Sequence, residues 1–298
     1  MRLLRLRTVL AGTDLEPSSD SAVESAIRLG DAAGAEVHIA YVSPDPPRSG
    51  SPAHAPEAGS VVTTFRERLG LSGRNARFHV KSGDPATALS DLMDEISADV
   101  IVIGRHRQRR AQQSDGSIGS TAYDVVTRTL APCLITSHSI EVPIRKAVVA
   151  VDTSETARGA LLVALSWTSA LRQSKPNAPG TTLTALHVET GNPLSPSDAH
   201  RKRTVDHELD ILKRGAGSWA GVSFTGATET SDNPVRAIID FADDQKADLI
   251  VLGTRGLAAI ELSGLGSVSA AVMNEANLPV LLVPPAVWRN YAHDIDYL

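Results

Sequence analysis

A spaced set of glycines is the feature of this 298-residue chain best suited to ligand chemistry. Gly253-Thr-Arg-Gly256 directly follows an apolar run, and Gly266-Ser267 comes after nine further residues. Glycines let backbone N–H groups approach an anion closely, and a helix starting at the second pair would add the partial positive charge of its N-terminus. Ser267 can donate to a phosphate or act only as the helix N-cap. The spacing predicts an anion-binding loop, with a plain turn before a capped helix as the alternative.

The sequence contains the same unit twice. Asp14 and Asp152 each end an apolar run, and Ala98–Gly104 recurs as Ala247–Gly253 at an offset of 149 residues. A duplicated unit of about 140 residues has the usual size of a domain. The chain is therefore expected to form two domains, with the boundary between Ser137 and Pro143. The predicted domains cover residues 1–140 and 141–298.

Each copy alternates short β-branched runs with longer helical patterns, which indicates βαβ units and a parallel sheet. The sequence predicts an α/β fold with two tandem doubly wound domains and helices on both faces of each sheet. In the second copy the predicted strands are 146–151, 182–188, 222–228, 248–252 and 279–283. The predicted helices lie near 155–172, 198–214, 234–245 and 267–276. Asp84-Pro85 and Asn233-Pro234 each predict an N-cap followed by a proline at the first helical position. Strand 248–252 is apolar throughout and is expected to be covered on both faces, and the five prolines of 43–59 predict a loop.

Asp152 and Gly253 end strands that would be neighbours in a doubly wound sheet. Such sheets bind ligands at the point where the strand order reverses, outside the carboxyl ends of the strands. The glycine loop is therefore predicted to face a ligand crevice.

Four segments of the second copy occur in a characteristic order. They are V-A-V-D-T-S-E at 149–155, L-H-V at 186–188, D-L-I-V-L-G-T-R-G at 248–256 and G-S-V-S at 266–269. This order resembles the universal stress protein family in its tandem two-domain form, and the resemblance runs from about residue 5 to residue 284. The glycines and serine match the G-x2-G-x9-G-[ST] signature of the family's ATP-binding branch. The resemblance implies a five-stranded parallel sheet in the order 3-2-1-4-5 for each domain.

The resemblance also implies a role for each matching residue toward ATP, with Mg²⁺ or Mn²⁺ carried only by the nucleotide. Asp152 would meet the adenine or ribose, and the backbone of Val188 would contact the adenine. The ribose and phosphates would be lined by Leu252, Gly253, Arg255 and Gly256. The phosphate chain would be closed in by Gly266, Ser267 and Val268.

The first copy departs from this pattern and is predicted to form a weaker site, or none. Its matching residues are Asp14, Val42, Gly104, Gly119 and Ser120. Arg107 stands where the second glycine belongs, and the segment 104–110 contains four arginines. This segment is interpreted as a solvated basic loop, with an anion clamp built from arginine forks as the alternative.

The same resemblance predicts how the two domains meet. Strands Cys133–Thr136 and Val280–Val283 would be sheet edges, and unpaired edges need covering. We expect them to pair as an intramolecular pseudo-dimer, and a homodimer of whole chains is left open. The tail after Pro285, with Trp288, is expected to pack on this body.

Composition excludes several classes of protein. The chain is 42% hydrophobic and 21% charged and has no apolar run long enough for a membrane helix, so no membrane partner is expected. The start of the chain lacks the apolar region of a secretory signal, which predicts a cytoplasmic location. A net charge of −5 argues against a nucleic-acid partner. The single cysteine, Cys133, excludes internal disulfides and is expected to be a buried apolar residue.

No catalytic or metal-binding set of side chains is identifiable in the sequence. His187, at a strand end, is expected to be packed or bonded to the backbone, with ligand contact as the alternative. The chain is thus interpreted as a nucleotide-binding regulatory or stress-response module. A slow ATP hydrolase or a nucleotidyl transferase of a related α/β fold is the alternative, and a purely structural dimerisation module is a third hypothesis.

Overall fold

The structure of the protein is a computed structural model in which strands and helices alternate along the chain. It describes residues 5–43, 58–71, 75–105, 120–152, 154–173, 179–190, 207, 221–256 and 264–291. The strands are β1 Thr8–Thr13, β2 Glu36–Ser43, β3 Ala76–Ser82, β4 Val100–Gly104, β5 Cys133–Thr136, β6 Lys146–Ala150, β7 Thr181–Glu189, β8 Val222–Thr230, β9 Leu249–Gly253 and β10 Val280–Val283. The helices are α1 Asp20–Ala33, α2 Ala58–Arg68, α3 Pro85–Glu95, α4 Ser120–Arg128, α5 Glu155–Gln173, α6 Pro234–Asp244, α7 Ser267–Glu275 and α8 Pro285–Tyr291.

All these strands form one sheet, in the order β3-β2-β1-β4-β5-β10-β9-β6-β7-β8. Each half therefore has the order 3-2-1-4-5, and neighbours within a half are parallel. The order reverses beside β1 and β6, so crevices are expected at their carboxyl ends. The predicted α/β, doubly wound fold is confirmed.

The two halves join through their last strands. β5 and β10 are antiparallel, with Leu134 opposite Leu281 and Cys133 opposite Leu282. Every residue of both strands is buried. Because each strand covers the other's open edge, the pairing removes two exposed sheet edges at once. The predicted pairing of these two strands is confirmed.

Helices cover both faces of the sheet, and two hydrophobic cores result. Successive residues of β1 point to opposite faces, so that Val9 joins the core beneath α1 and α5 while Leu10 joins the core beneath α3, α4, α6 and α7. Each core contains residues of both domains. Strand β9 is buried throughout, as its continuous apolar sequence predicted.

Two helices that frame the crevices begin at the predicted caps. The Asp84 side chain accepts a hydrogen bond from the Thr87 amide at the start of α3, and Asn233 accepts one from the Arg236 amide at the start of α6. A proline follows each cap, where the missing N–H costs no helical hydrogen bond. These caps fix where the two helices leave the sheet.

The C-terminal helix packs on the second domain, as expected. Val287 in α8 is buried, and Trp288 packs against the core beneath α1 and α5. A Cβ at Gly159 of α5 would sit 3.4 Å from the Cβ of Trp288, and the Arg158 guanidinium lies 5.9 Å from the centre of the indole ring. The α5–α8 contact thus combines close packing of Gly159 against Trp288 with a cation–π pair.

The described residues bear on three further predictions from the sequence, which concern a helix, a loop and membrane-spanning segments. The predicted helix near 198–214 lies outside the described residues except for His207. The two ends of the predicted loop 43–59 belong to regular structure, since Ser43 ends β2 and α2 begins at Ala58, and residues 44–57 lie outside the described residues. None of the helices in the described part of the chain combines the length and apolar character needed to cross a bilayer.

Candidate functional site

The nine residues predicted for the second-domain site line one cavity of about 430 Å³. It lies at the carboxyl ends of β6, β7 and β9, where the strand order reverses. The predicted residues are Asp152, Val188, Leu252, Gly253, Arg255, Gly256, Gly266, Ser267 and Val268. The structure therefore brings together residues that are up to 116 positions apart in the sequence, from 152 to 268.

The cavity has an apolar end and a polar end. The apolar walls come from the strand ends and from α6, and their residues are Ala150, Val151, Leu186, Val188, Pro234, Ile238 and Leu252. The polar end is formed by the loop after β9 and the first residues of α7. Such a cavity can take a flat apolar group at one end and an anion at the other.

Asp152 is held by a turn directly after β6. Its Oδ1 accepts hydrogen bonds from the Ser154 amide, at 2.9 Å, and from the Ser154 hydroxyl. The carboxylate thereby caps the segment that leads into α5, and it lines the cavity at the same time. The turn fixes one of the two charged side chains that the described residues place at the cavity wall, the other being Arg255.

A chain of hydroxyl groups connects Asp152 to the loop after β9, and the sequence reasoning missed it. The Ser154 and Thr156 hydroxyl oxygens lie 3.0 Å apart, and the Thr156 hydroxyl donates to the Arg255 carbonyl. Thr156 is buried, so its hydroxyl needs such a partner. The only signal in the sequence was the position of these polar residues beside an aspartate that ends a strand.

The first glycine of the motif makes room for protein rather than for ligand. A Cβ on Gly253 would lie 2.6 Å from the Cβ of Thr156 and 2.9 Å from its backbone carbonyl carbon. The missing side chain therefore lets α5 pack against the end of β9. The sequence did not indicate this packing role for Gly253, which also lines the cavity.

The second glycine brings the loop against the carboxylate. A Cβ on Gly256 would lie 2.8 Å from Oδ2 of Asp152, so a side chain at this position would require the carboxylate or the loop to move. Because both residues line the cavity, the contact sets its width between β6 and the loop after β9. Any side chain at Gly256 would push Asp152 or the loop away.

The third glycine is the N-cap of α7, which corrects the suggestion that Ser267 caps this helix. The Gly266 carbonyl accepts from the Ala270 amide, and the Gly266 amide donates to the Thr254 carbonyl at 2.8 Å. By helix geometry the next three amides have no acceptor inside the helix. These amides belong to Ser267, Val268 and Ser269, all of which line the cavity.

Two further hydrogen bonds fix the loop around this helix end. Arg255 Nε donates to the Gly264 carbonyl at 3.0 Å, and the Ser269 hydroxyl donates to the Gly253 carbonyl at 2.7 Å. The first bond holds the guanidinium at the cavity wall. The second ties the first turn of α7 to the end of β9, so the helix N-terminus and the strand end are positioned together.

His187 is bonded to the backbone, as expected, and it also lines the cavity. Its Nδ1 lies 3.0 Å from the Val151 carbonyl oxygen. Since a carbonyl only accepts, Nδ1 carries a proton in this arrangement. The bond orients the imidazole at the end of β7, beside the apolar part of the cavity.

The corresponding first-domain residues are only partly described. Asp14 is exposed, and its Oδ1 accepts from the Glu16 amide at 3.0 Å, in the same turn that Asp152 makes. Val42 is half-buried in β2, and Gly104 ends β4. Gly119 lies outside the described residues, and Ser120 begins α4.

Both interpretations of the first-domain arginines are wrong for Arg105. It is buried, and its guanidinium donates to the carbonyls of Ala276 and Leu278 in the second domain. It is neither a solvated loop residue nor part of an anion clamp. Arg107 and the other arginines of this run lie outside the described residues.

Among the described residues, neither the cysteine nor the side chains that could bind a metal form a second candidate site. Burial raises the pKa of the Cys133 thiol to about 12, against the opposing effect of its hydrogen bond with Thr129, so the thiolate is scarce at neutral pH. Cys133 is the buried apolar residue that its sequence context predicted. Among the described residues, no group of three His, Cys, Asp or Glu side chains is placed to hold a metal ion.

The family model of universal stress proteins matches the sequence twice, at residues 5–137 and 143–284. The chain belongs to the universal stress protein family. The two matches confirm the tandem form, in which one chain carries two family units.

Individual universal stress proteins resemble this chain to different extents. One from Thermus aquaticus is 33% identical over 118 residues, which are 39% of this chain and 86% of that protein. One from Synechocystis is 24% identical over 226 residues, which are 76% of this chain and 71% of that protein. The crystal structure of a universal stress protein from Archaeoglobus fulgidus has a TM-score of 0.68 at 20% identity, covering 93% of this chain and 98% of that chain. This structural likeness shows a shared fold.

Proposed function

We propose that the protein binds ATP in its second domain and acts as a regulatory or stress-response module. The observation that carries the proposal is a single cavity that joins an apolar end, between β6, β7 and α6, to the N-terminus of α7. An adenine ring fits the chemistry of the first part. A phosphate chain fits the second, where the amides of Ser267, Val268 and Ser269 and the helix dipole favour an anion.

The charged residues of the cavity support the same orientation of the nucleotide. Arg255 is at the polar end, beside Gly256 and Gly266, where a phosphate needs a positive partner. Asp152 also lines the cavity, beside Gly256, and can accept hydrogen bonds from ribose hydroxyls. Mg²⁺ or Mn²⁺ would arrive with the nucleotide. The cytoplasmic location and the absence of nucleic-acid partners remain predictions from composition.

A thermal-shift titration tests nucleotide binding directly. ATP at one hundred times its dissociation constant should raise stability by about 2.7 kcal/mol. Adenosine should give a smaller shift at the same concentration, because it lacks the phosphates. An unchanged melting temperature up to millimolar ATP, together with no nucleotide released when the purified protein is denatured, would contradict the proposal.

A slow ATP hydrolase or nucleotidyl transferase is the second candidate function. Among the described residues, the titratable side chains that line the cavity are Asp152, His187 and Arg255. Phosphoryl transfer normally needs a metal carboxylate, a lysine or a positioned base near the terminal phosphate. Steady-state turnover in Mg²⁺ or Mn²⁺ is therefore expected far below the median enzyme rate of about 10 per second. A rate near that median would favour the enzyme.

A further inference from the structure

Arg105 is a buried cation at the junction of the two domains. It follows β4 directly and is 7% exposed. A buried guanidinium is costly unless polar groups surround it. Its Nη1 donates to the Ala276 carbonyl, and its Nη2 lies 3.4 Å from the Leu278 carbonyl oxygen. The first domain thus places a positive charge on the backbone of the second.

Arg105 contacts the C-terminal end of α7. Ala276 is the C-cap of this helix, and its amide donates to the Val272 carbonyl. A cation at the C-terminus of a helix compensates the unpaired carbonyls and the negative end of the dipole. The other end of the same nine-residue helix, roughly 13 Å away, lines the second-domain cavity.

Among the described residues, this contact runs from a first-domain side chain to the second-domain backbone, and no matching contact runs the other way. Arg105 and Thr254 occupy equivalent positions, since each amide donates to the carbonyl of the last residue in the neighbouring strand, Thr136 or Val283. A threonine side chain is too short to reach across the junction as the arginine does. The first domain therefore supports the second-domain helix, and the described residues show no equivalent contact in return.

We infer that Arg105 is a positioning residue through which the first domain sets the affinity of the second-domain cavity for the phosphates of its ligand. Arg105 fixes the C-terminus of α7, while the Ser269–Gly253 hydrogen bond fixes its first turn. Together they hold the three free amides of the helix in place. The loop that follows β4 in the first domain has thereby acquired a role in the second. This inference rests on the proposed ATP binding.

The test compares ATP with adenosine by titration calorimetry on the full chain. Arg105→Met keeps the length of the side chain and removes its donors. It is expected to weaken ATP binding about tenfold, a coupling of ordinary size, and to leave adenosine binding unchanged. Arg105→Lys should restore part of the loss. Arg28→Met removes another arginine that donates to a backbone carbonyl, that of Ile140, far from the cavity, and should change neither ligand.

Hydrogen exchange on the wild-type chain provides a readout that does not depend on a variant folding. ATP should slow exchange of the Ala276 and Arg105 amides, and adenosine should not. Unchanged exchange at both amides, or an unchanged ratio of ATP to adenosine affinity in Arg105→Met, overturns the inference alone. A wild-type chain that binds no ATP overturns the proposed function as well.

Discussion

The residues that follow β4 and β9 make equivalent backbone hydrogen bonds, but the side chains there have different roles. Gly104 and Gly253 end their strands at equivalent positions, and the next residue makes the same backbone hydrogen bond in each domain. In the first domain that residue is Arg105, and its side chain is directed into the junction between the domains. In the second, the loop continues through Arg255 and Gly256 around a cavity. The two copies thus keep equivalent strand ends, while the described residues that follow them make different side-chain contacts.

The segments after β5 and β10 can be compared in the same way. Removal of the segment after β10 is expected to have the largest effect on stability. Ile140 packs on α1 in the first domain, and Val287 and Trp288 pack on α5 in the second. Ending the chain after Pro285 should lower the free energy of unfolding by about 2–4 kcal/mol through the lost apolar burial. A chain ending at Tyr291 is the control, because it keeps α8. An unchanged denaturation midpoint in the shorter chain would contradict the packing described.

The next effect concerns ATP affinity and compares equivalent glycines. A Cβ on Gly266 would make ordinary contacts, 3.4 Å from the Thr254 carbonyl oxygen and 3.7 Å from the Gly256 amide nitrogen. Gly266→Val should therefore fold normally while its methyl groups cover donors at the cavity mouth. One lost donor to a charged group corresponds to a tenfold to hundredfold loss, about 1.5–3 kcal/mol. A fluorescence titration with ATP measures this loss, and Gly119→Val, in the first domain, should leave the dissociation constant unchanged in the same assay.

A smaller effect is expected from the paired aspartates. Asp152→Asn and Asp14→Asn both keep an oxygen that can accept from the following turn, so both should preserve the fold. Asp152→Asn removes a charged acceptor from the cavity and should weaken ATP binding about tenfold. Asp14→Asn should have no effect on affinity. Equal losses in the two variants would mean that the first domain contributes to nucleotide binding.

The smallest effect is a pH dependence that belongs to the first domain. His79 Nε2 lies 2.9 Å from Nδ1 of the buried His38, whereas the equivalent positions in the second domain, by strand register, are Ala227 and Thr184. Burial, followed by the charges of His38 and Lys81, lowers the pKa of His79 below 6.5. The unfolded chain then binds the proton more readily than the folded one. The associated stability is present above pH 6.5 and is lost as the pH falls below it.

Denaturant midpoints between pH 7.5 and pH 5 measure this dependence. His79→Gln should reduce the decrease in stability on acidification, and His138→Gln, at an exposed position, should not. The same decrease in both variants would assign the effect to other groups.

The sequence predicted the architecture well because the fold depends on local patterns that the two copies repeat. The apolar run of β9, the caps Asp84 and Asn233, and the last strands were all readable from the order of residue types. The residues around the cavity were readable for the same reason, since they follow the strand ends.

Contacts between distant segments could not be read in this way. The role of Gly253 depends on how closely Thr156 approaches it, and the partners of Arg105 lie 171 and 173 positions away. An arginine beside a loop looks solvated in sequence, and only the pairing of β5 with β10 brings carbonyls within its reach. Side-chain identity sets what a residue can do, while tertiary packing decides which partner it meets.

Calorimetric titration of the full chain with ATP tests the difference between the two domains most directly. The cavity of the second domain, with its three helix amides, Asp152 and Arg255, predicts one ATP per chain. It also predicts that Gly266→Val weakens this binding by about tenfold to hundredfold while Gly119→Val preserves it. Two equivalent sites per chain, or undiminished affinity in Gly266→Val, would contradict the assignment of nucleotide binding to the second domain.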